Sequence, residues 1–165
     1  DTVKKELAFF LEQRVPQVKF VDRTFNCKKS HAMAIWQFIC DHDNGVTNFH
    51  FEIAADVLDE EEIALLKTMR PGLVQLEIGI QTTNDKTLHE INRYVDLARV
   101  AQVTKIIRQA HNIHQHLDLI AGLPLEDYES FGHSFDVVYK MKPSQLQLGF
   151  LKILKMIIMF LFLIL

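Results

Sequence analysis

The sequence has few cysteines and no concentration of positive charge, and both absences narrow the classes of protein to which it can belong. Only two of its 165 residues are cysteine, and Cys27 and Cys40 do not stand at the C-x2-C spacing of a zinc site. So few thiols are typical of a reducing compartment, and we expect a cytoplasmic location. The net charge is -3 and there is no long run of lysine or arginine, so the electrostatic pattern of a nucleic-acid-binding protein is missing.

Long apolar segments are also missing, except at the end of the chain. Residues 1–13 are charged and amphipathic and lack the apolar core of a secretory signal, and the chain begins without a methionine. The last ten residues, Met156–Leu165, are apolar throughout, but a helix needs about 20 such residues to span a bilayer. We therefore interpret residues 1–155 as one domain and residues 156–165 as an apolar tail of uncertain origin, either a buried element or a cloning remnant. No membrane partner is expected.

The clearest pattern in the chain is the segment Leu73–Arg93, LVQLEIGIQTTNDKTLHEINR. Its first half alternates strictly, which predicts a strand with an apolar and a polar face, because successive side chains of a strand point in opposite directions. The apolar face would carry Val74, Leu76, Ile78 and Ile80, and the polar face would carry Gln75, Glu77, Gly79 and Gln81. Asp85 is predicted to cap the helix that follows.

The same order of strand and then helix repeats along the chain. Strands are predicted at residues 18–23, 48–55, 73–81, 116–122 and 145–150, and helices are predicted between them. Asp59, followed by Glu62 at the capping-box position, marks the start of one helix, and another is expected from about Asp127. Strands that alternate with helices about every 30 residues indicate βαβ units, which require parallel pairing.

The polar face of the strands distinguishes between two parallel architectures. An open sheet with helices on both sides buries both faces and should have strands that are apolar almost throughout. In a barrel the helices lie only outside, so the apolar faces point outward and the polar faces point into the bore. We therefore predict an α/β fold, a partial TIM-like (βα) barrel of about five parallel strands with outer helices and a ligand in its polar bore. The open edges of such a barrel could pair with a second copy of the chain.

Five short segments resemble the barrel of radical S-adenosylmethionine (SAM) enzymes, especially the coproporphyrinogen-dehydrogenase-like and cobalamin-linked branches. The segments FVDRTFN, HFEIAAD, LEIGIQTTND, EINR and LDLIAGLP occur in the family's order and with similar gaps, from about Lys4 to Phe150. The resemblance implies an enzyme in which SAM binds inside a partial barrel and a 4Fe-4S cluster cleaves it to a 5'-deoxyadenosyl radical. It also allows a cobalamin domain elsewhere in the parent protein.

The resemblance further implies roles for individual residues. Glu52 and Gln81 would lie beside the methionyl and ribose parts of SAM. Arg93 would bind the carboxylate, for which its fixed and always-charged fork is suited, and Asp118 would accept hydrogen bonds from ribose hydroxyls. Asp22, within FVDRTFN, stands where the family often contacts the methionyl amine, although the glycine-rich form of that motif is absent. Three of these five residues, Glu52, Gln81 and Asp118, lie on the strand face that alternation already assigned to the bore.

The family's cluster-binding motif, C-x3-C-x2-C, does not occur in the sequence. Three closely spaced thiolates are needed to hold a cluster with one open iron. We therefore interpret the chain as a fragment of a larger enzyme, inactive by itself. No residue is assigned to a metal, because His111, His114 and His116 crowd one predicted loop without a carboxylate or thiol to complete a ligand set, and a solvated turn is expected there.

Two other interpretations stay open at this point. The chain could be an unrelated (βα) barrel enzyme that uses Glu52 and Asp118 as acid and base, in which case it would need neither iron nor SAM. It could also be a non-catalytic interaction module whose apolar tail covers an open barrel edge or a partner. Without the resemblance, Glu52, Gln81 and Asp118 could equally be solvated positions on an antiparallel sheet.

Overall fold

A computed structural model of the chain describes residues 2–152 and alternates helices with strands as predicted. The elements in chain order are α1 (Thr2–Glu12), β1 (Gln17–Lys19), α2 (Lys29–Asp41), β2 (Asn48–Ile53), α3 (Glu60–Thr68), β3 (Val74–Gln81), α4 (Asp85–Glu90), α5 (Leu97–Ala110), β4 (His114–Ala121), α6 (Tyr128–Lys140) and β5 (Gln145–Phe150). The apolar tail at residues 156–165 lies outside the described residues, as do residues 153–155. No helix between residues 2 and 152 combines the length and the apolar character needed to cross a bilayer.

The five strands form one sheet in which every strand is parallel to its neighbours. Their spatial order, β1-β2-β3-β4-β5, is the same as their order in the chain. Right-handed crossovers that always advance in one direction place all the connecting helices on the same side of the sheet. The result is a half-barrel with outer helices, and it confirms the predicted α/β partial barrel.

The core lies between the outer face of the sheet and these helices. Phe49, Leu76 and Leu119, on the apolar face of their strands, are completely buried there. Alternation predicts the same outward direction for Leu148 on β5, but 47% of it is exposed. β5 is an edge strand, and no helix follows it within residues 2–152 to cover Leu148.

Local capping explains where two of the helices begin. Asp59 accepts hydrogen bonds from the backbone of Glu62, whose side chain accepts in turn from the backbone of Asp59, so the predicted capping box before α3 is confirmed. The prediction for α4 was wrong by one residue, because Asn84 is the cap and Asp85 is the first helical residue. Asparagine and aspartate cap equally well, so the sequence pattern does not distinguish these neighbours.

The first strand is shorter than predicted and ends at Lys19 instead of Arg23. The last backbone hydrogen bond to β2 runs from Phe20 N to His50 O at 2.9 Å. Beyond it the chain turns into a single 3-10 turn, Phe25–Cys27, which places the Phe25 ring 4.4 Å from the Phe51 ring. Burial of an aromatic side chain therefore ends this strand early.

An ion pair joins two loops at the N-terminal ends of the strands. Arg70 Nε donates to Asp43 Oδ2 at 2.7 Å and Arg70 Nη2 donates to Asp43 Oδ1 at 3.1 Å. The hydrogen bonds from Arg70 lower the pKa of Asp43 despite the opposing effect of burial. This bidentate contact connects the segment before β2 to the segment before β3.

We expect Asp43→Asn to lower the free energy of unfolding at neutral pH by about 1 kcal/mol, because the charged half of the pair is lost. The pKa of Asp43 is lower in the folded state, so its contribution is present above the unfolded pKa and disappears as the pH falls through the folded pKa. Urea unfolding at about pH 7 and about pH 3 measures this difference. Asp136→Asn, on the exposed side of α6, is the matched control, and an equal effect of both variants would contradict the assignment.

Candidate functional site

A cavity of about 500 Å³ opens on the inner face of the sheet, where β2, β3 and β4 end. Four of the five residues proposed from the sequence to contact a cofactor line it: Glu52, Gln81, Arg93 and Asp118. They come from three strands and one loop that are far apart in the sequence. The structure therefore brings these four residues together, although their roles toward a cofactor stay predictions.

Parallel pairing places the acidic residues of the cavity side by side. Glu52 on β2 pairs with Glu77 on β3, and Gly79 on β3 pairs with Asp118 on β4. All four positions lie on the polar face that alternation assigned to the bore. Three carboxyl groups consequently share the wall of one cavity.

Gln81 reaches the cavity through an irregularity of the strand. The register between β3 and β4 shifts between Gly79 and Gln81, so that Gln81 lies opposite Leu119. Its φ angle is 71°, in the left-handed region that residues other than glycine rarely adopt. Such backbone strain persists only where the surrounding structure holds it, and it is concentrated at functional sites.

Gly79 makes room for the two long side chains at the top of the cavity. Arg93 Nη2 donates a hydrogen bond to the carbonyl oxygen of Gly79. A Cβ atom at position 79 would collide with Gln81 Nε2 and would lie 3.5 Å from Arg93 Nη2. Only glycine at this position leaves both groups where they are.

A buried hydrogen-bond network holds the turn that follows Gln81. Thr82 Oγ1 donates to Glu126 and lies 3.3 Å from Ser134 Oγ, which also accepts from the backbone of Thr83 at 3.0 Å. Thr82 and Ser134 are both fully buried. Sequence reasoning did not identify these positioning residues, although two consecutive threonines directly after a strand were a usable signal.

Burial and charge separate the proton affinities of two neighbouring carboxyl groups. Burial, together with the negative charge and hydrogen bond of Glu77, raises the pKa of Asp118 to about 7. Burial would also raise the pKa of Glu77, but hydrogen bonds from Lys19 and Asp118 outweigh it and lower that pKa. Lys19 Nζ lies 3.0 Å from Glu77 Oε2 and 3.6 Å from Glu52 Oε1. Of these two carboxyl groups, Asp118 is therefore the one that takes up a proton first as the pH falls, whereas Glu77 stays ionised to lower pH.

Two histidines lie on the same inner face, nearer the N-terminal ends of the strands. His50 Nε2 lies 2.8 Å from Glu77 Oε2, and His116 Nε2 lies 3.0 Å from Asp118 Oδ1. Burial is the main cause that lowers the pKa of both histidines. They stand close to the carboxyl groups but do not line the cavity itself.

The expectation of a solvated turn was wrong for His116. His116 is buried within β4, and alternation puts it on the same side as Asp118, two residues further along. His111 instead ends α5 with a left-handed φ of 55°, and His114 is exposed at the first position of β4. His116 was already the first residue of the strand predicted at 116–122, and because β4 begins two residues earlier, at His114, it lies inside the sheet and not in a turn.

Asp22 is the predicted contact that the structure does not bring to this cavity. It is exposed and lines a different cavity, of about 300 Å³, between α1 and β1. Because β1 ends at Lys19, the backbone has already turned before Asp22, and it is Arg23 that reaches the cavity shared by the other four residues.

A parallel half-barrel with a polar, partly charged cavity at the carboxyl ends of its strands places the chain in the class of (βα) barrel folds. Within that class, the sequence model of the radical SAM superfamily matches residues 1–138. The chain belongs to the radical SAM superfamily. This membership overturns the alternative of an unrelated (βα) barrel enzyme.

Two curated relatives share parts of the sequence. Protein YhcC of Escherichia coli is 47% identical over 53 residues, which are 32% of this chain and 17% of that protein. The oxygen-independent coproporphyrinogen III oxidase of Salmonella typhimurium is 30% identical over 105 residues, which are 60% of this chain and 23% of that protein. The matched segments thus span less than a quarter of either relative.

Two solved structures share the fold. TsrM of Kitasatospora setae, a radical S-adenosylmethionine methyltransferase solved with cobalamin and a [4Fe-4S] cluster bound, superposes with a TM-score of 0.74 at 16% identity, covering 88% of this chain and 29% of that one. Coproporphyrinogen III oxidase (HemN) of Escherichia coli, a radical SAM enzyme, superposes with a TM-score of 0.72 at 19% identity, covering 94% of this chain and 39% of that one. At these identities the likeness establishes the fold.

We expect one aspartate carboxyl, that of Asp118, to titrate near pH 7 in the metal-free protein, as its raised pKa indicates. In Glu77→Gln the neighbouring negative charge is gone, so the pKa of Asp118 should fall toward the ordinary range for aspartate. Carbon-13 NMR of the side-chain carboxyl groups in protein treated with a chelator follows both titrations. A normal titration of Asp118 in the unsubstituted protein would contradict the raised pKa, and no change in Glu77→Gln would contradict the contribution of Glu77 to it.

Proposed function

We propose that this chain supplies the SAM-binding half-barrel of a radical SAM enzyme, with Glu52, Gln81, Arg93 and Asp118 as the cofactor contacts. The observation that supports it is the convergence of these four residues, proposed from four separate sequence segments, on one cavity. Chance is a poor explanation, because the four positions are spread over 67 residues and reach the cavity through separate elements.

The polar atoms of the cavity suit a ligand with both donors and acceptors. Gln81 Oε1, Arg93 Nε and Asp118 Oδ1 are buried and have no hydrogen-bond partner within the described residues. A buried polar atom without a partner costs about 1–3 kcal/mol, so a ligand that satisfies all three atoms gains binding energy. The amino-acid and ribose parts of SAM carry the complementary groups.

Each residue then has a distinct task. The Arg93 guanidinium binds a carboxylate with a planar fork of donors, and its hydrogen bond to Gly79 keeps that fork in place. Gln81, held at a strained backbone position, offers an amide that both donates and accepts. Glu52 and Asp118 face hydroxyl or ammonium groups, and Asp118 can donate its own proton near neutral pH.

The cofactors of the parent enzyme extend this proposal beyond the chain. SAM bound to a reduced 4Fe-4S cluster would supply a 5'-deoxyadenosyl radical for hydrogen abstraction. The two cysteines of this sequence, thirteen positions apart, do not fit the cluster, so its ligands would come from other residues and the chain alone would be inactive. The likeness to TsrM, whose structure holds cobalamin, makes cobalamin a further candidate in the parent protein, bound outside this chain.

SAM should bind the chain directly, although weakly without the iron of a cluster. We expect Gln81→Ala and Arg93→Ala each to weaken binding about tenfold, the loss that corresponds to one satisfied buried hydrogen bond. Saturation-transfer NMR with SAM measures the binding and reports whether the ribose and methionyl protons touch the protein. Gln75→Ala is the matched control, since Gln75 lies on the same face of β3 but away from the cavity. Absence of SAM binding, or equal weakening by Gln75→Ala, would contradict the proposal.

Gly79→Ala tests the arrangement of the cavity without removing a contact residue. Because the obstructed atom is the far end of a flexible glutamine, we expect the protein to fold but Gln81 to be displaced, with SAM binding reduced at least as much as in Gln81→Ala. Gly149→Ala on β5 is the control, since a Cβ there meets Leu119 O at an ordinary 3.7 Å. Unchanged SAM binding in Gly79→Ala would show that Gln81 is not a contact.

A further inference from the structure

We propose that the inner wall of the half-barrel carries a second site, for a divalent first-row transition-metal cation, formed by Glu77, His116 and Asp118 with His50 beside it. The site lies deeper in the wall than the cavity that lodges the proposed cofactor, because the cavity reaches the two carboxyl groups but neither histidine. This inference rests on the side chains of the wall alone and does not require SAM to bind.

The three candidate ligand atoms lie close together. One nitrogen or oxygen atom from each of Glu77, His116 and Asp118 lies within 4.8 Å of the others. His116 Nε2 and Asp118 Oδ1 are 3.0 Å apart, and His50 Nε2 is 2.8 Å from Glu77 Oε2. Ligand atoms bound at about 2.1 Å to one cation lie about 3.0–3.4 Å apart, so the His116–Asp118 pair already fits and the carboxylate of Glu77 completes the set by a side-chain rotation.

The histidines are buried without the hydrogen bonds that would justify their burial. His50 and His116 are only 8% and 7% exposed. Despite the short distances, neither Nε2 is aligned for a hydrogen bond to its carboxylate, and Asp118 Oδ1 also has no hydrogen-bond partner within the described residues. Buried polar atoms without a hydrogen-bond partner are uncommon and costly, and a cation bound between them would satisfy them.

In the metal-free protein, the positive charge of Lys19 balances the negative charge of Glu77. Its ammonium lies 3.0 Å from Glu77 Oε2 and neutralises this carboxylate. The Lys19 side chain is 47% exposed, so it can swing into solvent at little cost, whereas the histidines cannot. The geometry therefore makes Lys19 a competitor of the metal for Glu77, and this competition provides a specific test.

The mixture of ligands selects the class of metal. Imidazole nitrogen together with carboxylate oxygen suits zinc, cobalt, iron(II) and manganese, whereas magnesium and calcium prefer oxygen alone and copper(I) prefers sulfur. A single imidazole with two carboxylates leaves coordination positions open for His50, water or a substrate group.

The test is a titration of the chelator-treated full chain with Co²⁺, in which the visible d–d absorption of the bound Co²⁺ measures binding. A competition titration with Zn²⁺ comes next. We expect one equivalent of Co²⁺ to bind, and we expect His116→Gln to lower the affinity for Co²⁺ at least tenfold. Glu77→Gln should weaken binding similarly and provides a second test if His116→Gln fails to fold, as judged by circular dichroism. Lys19→Met should tighten binding severalfold, because it removes the competing ammonium.

His114→Gln is the matched control for adventitious binding. His114 lies on the same face of the same strand, two residues before His116, but it is exposed. Its substitution should leave the affinity unchanged. Three results would overturn the proposal. The first is an equal loss of affinity in His114→Gln and His116→Gln, and the second is weaker binding in Lys19→Met. The third is no binding of Co²⁺ by either the unsubstituted chain or Lys19→Met. Because SAM is absent from every arm, failure here is distinguishable from failure of the proposed cofactor site.

Discussion

The parallel register of β2, β3 and β4 is the constraint on which the rest of the structure depends. Hydrogen bonds between these strands align Glu52 with Glu77 and Glu77 with His116, so residues from three distant segments become direct neighbours. Side chains in a strand alternate, and the helices cover only one face of the sheet. The uncovered face must then carry whatever polar groups the sequence places there, and in this chain those groups form the site.

A cluster of carboxyl groups in a partly buried wall needs compensation, and the chain provides it in three ways. Lys19 contacts Glu77 from the first strand, the raised pKa of Asp118 allows that carboxyl group to take up a proton near pH 7, and Arg93 approaches from the loop after α4. Burial of charge is costly unless the charge is paired or protonated. The compensation is incomplete, since several buried polar atoms have no partner within the described residues, and this deficit is what both proposed ligands would satisfy.

Much of the architecture could be read from the sequence, and the reason is periodicity. Strict alternation in VQLEIGIQ located β3 and both of its faces, and the Asp59 and Glu62 pair located the start of α3. The inward direction of Glu52 and Asp118 followed from the same alternation. Periodicity did not predict the short or irregular elements correctly. The strand β1 ends early because Phe25 turns inward to pack, and Asp22 therefore lies away from the other predicted residues. His116 was set aside because no carboxylate completes a ligand set near it in the sequence, whereas its acidic neighbour Glu77 lies on an adjacent strand.

The sequence by itself determined the fold class, the apolar and polar faces and, through its resemblance to the radical SAM superfamily, the identity of four residues that now line one cavity. These are properties of local spacing, which a linear pattern records. Only the tertiary structure decided that Gln81 reaches the cavity through a register shift, that burial and Glu77 raise the pKa of Asp118 and that His116 lies beside the Asp118 carboxyl group. These depend on distances between separate strands and on burial, which exist only once the chain has folded.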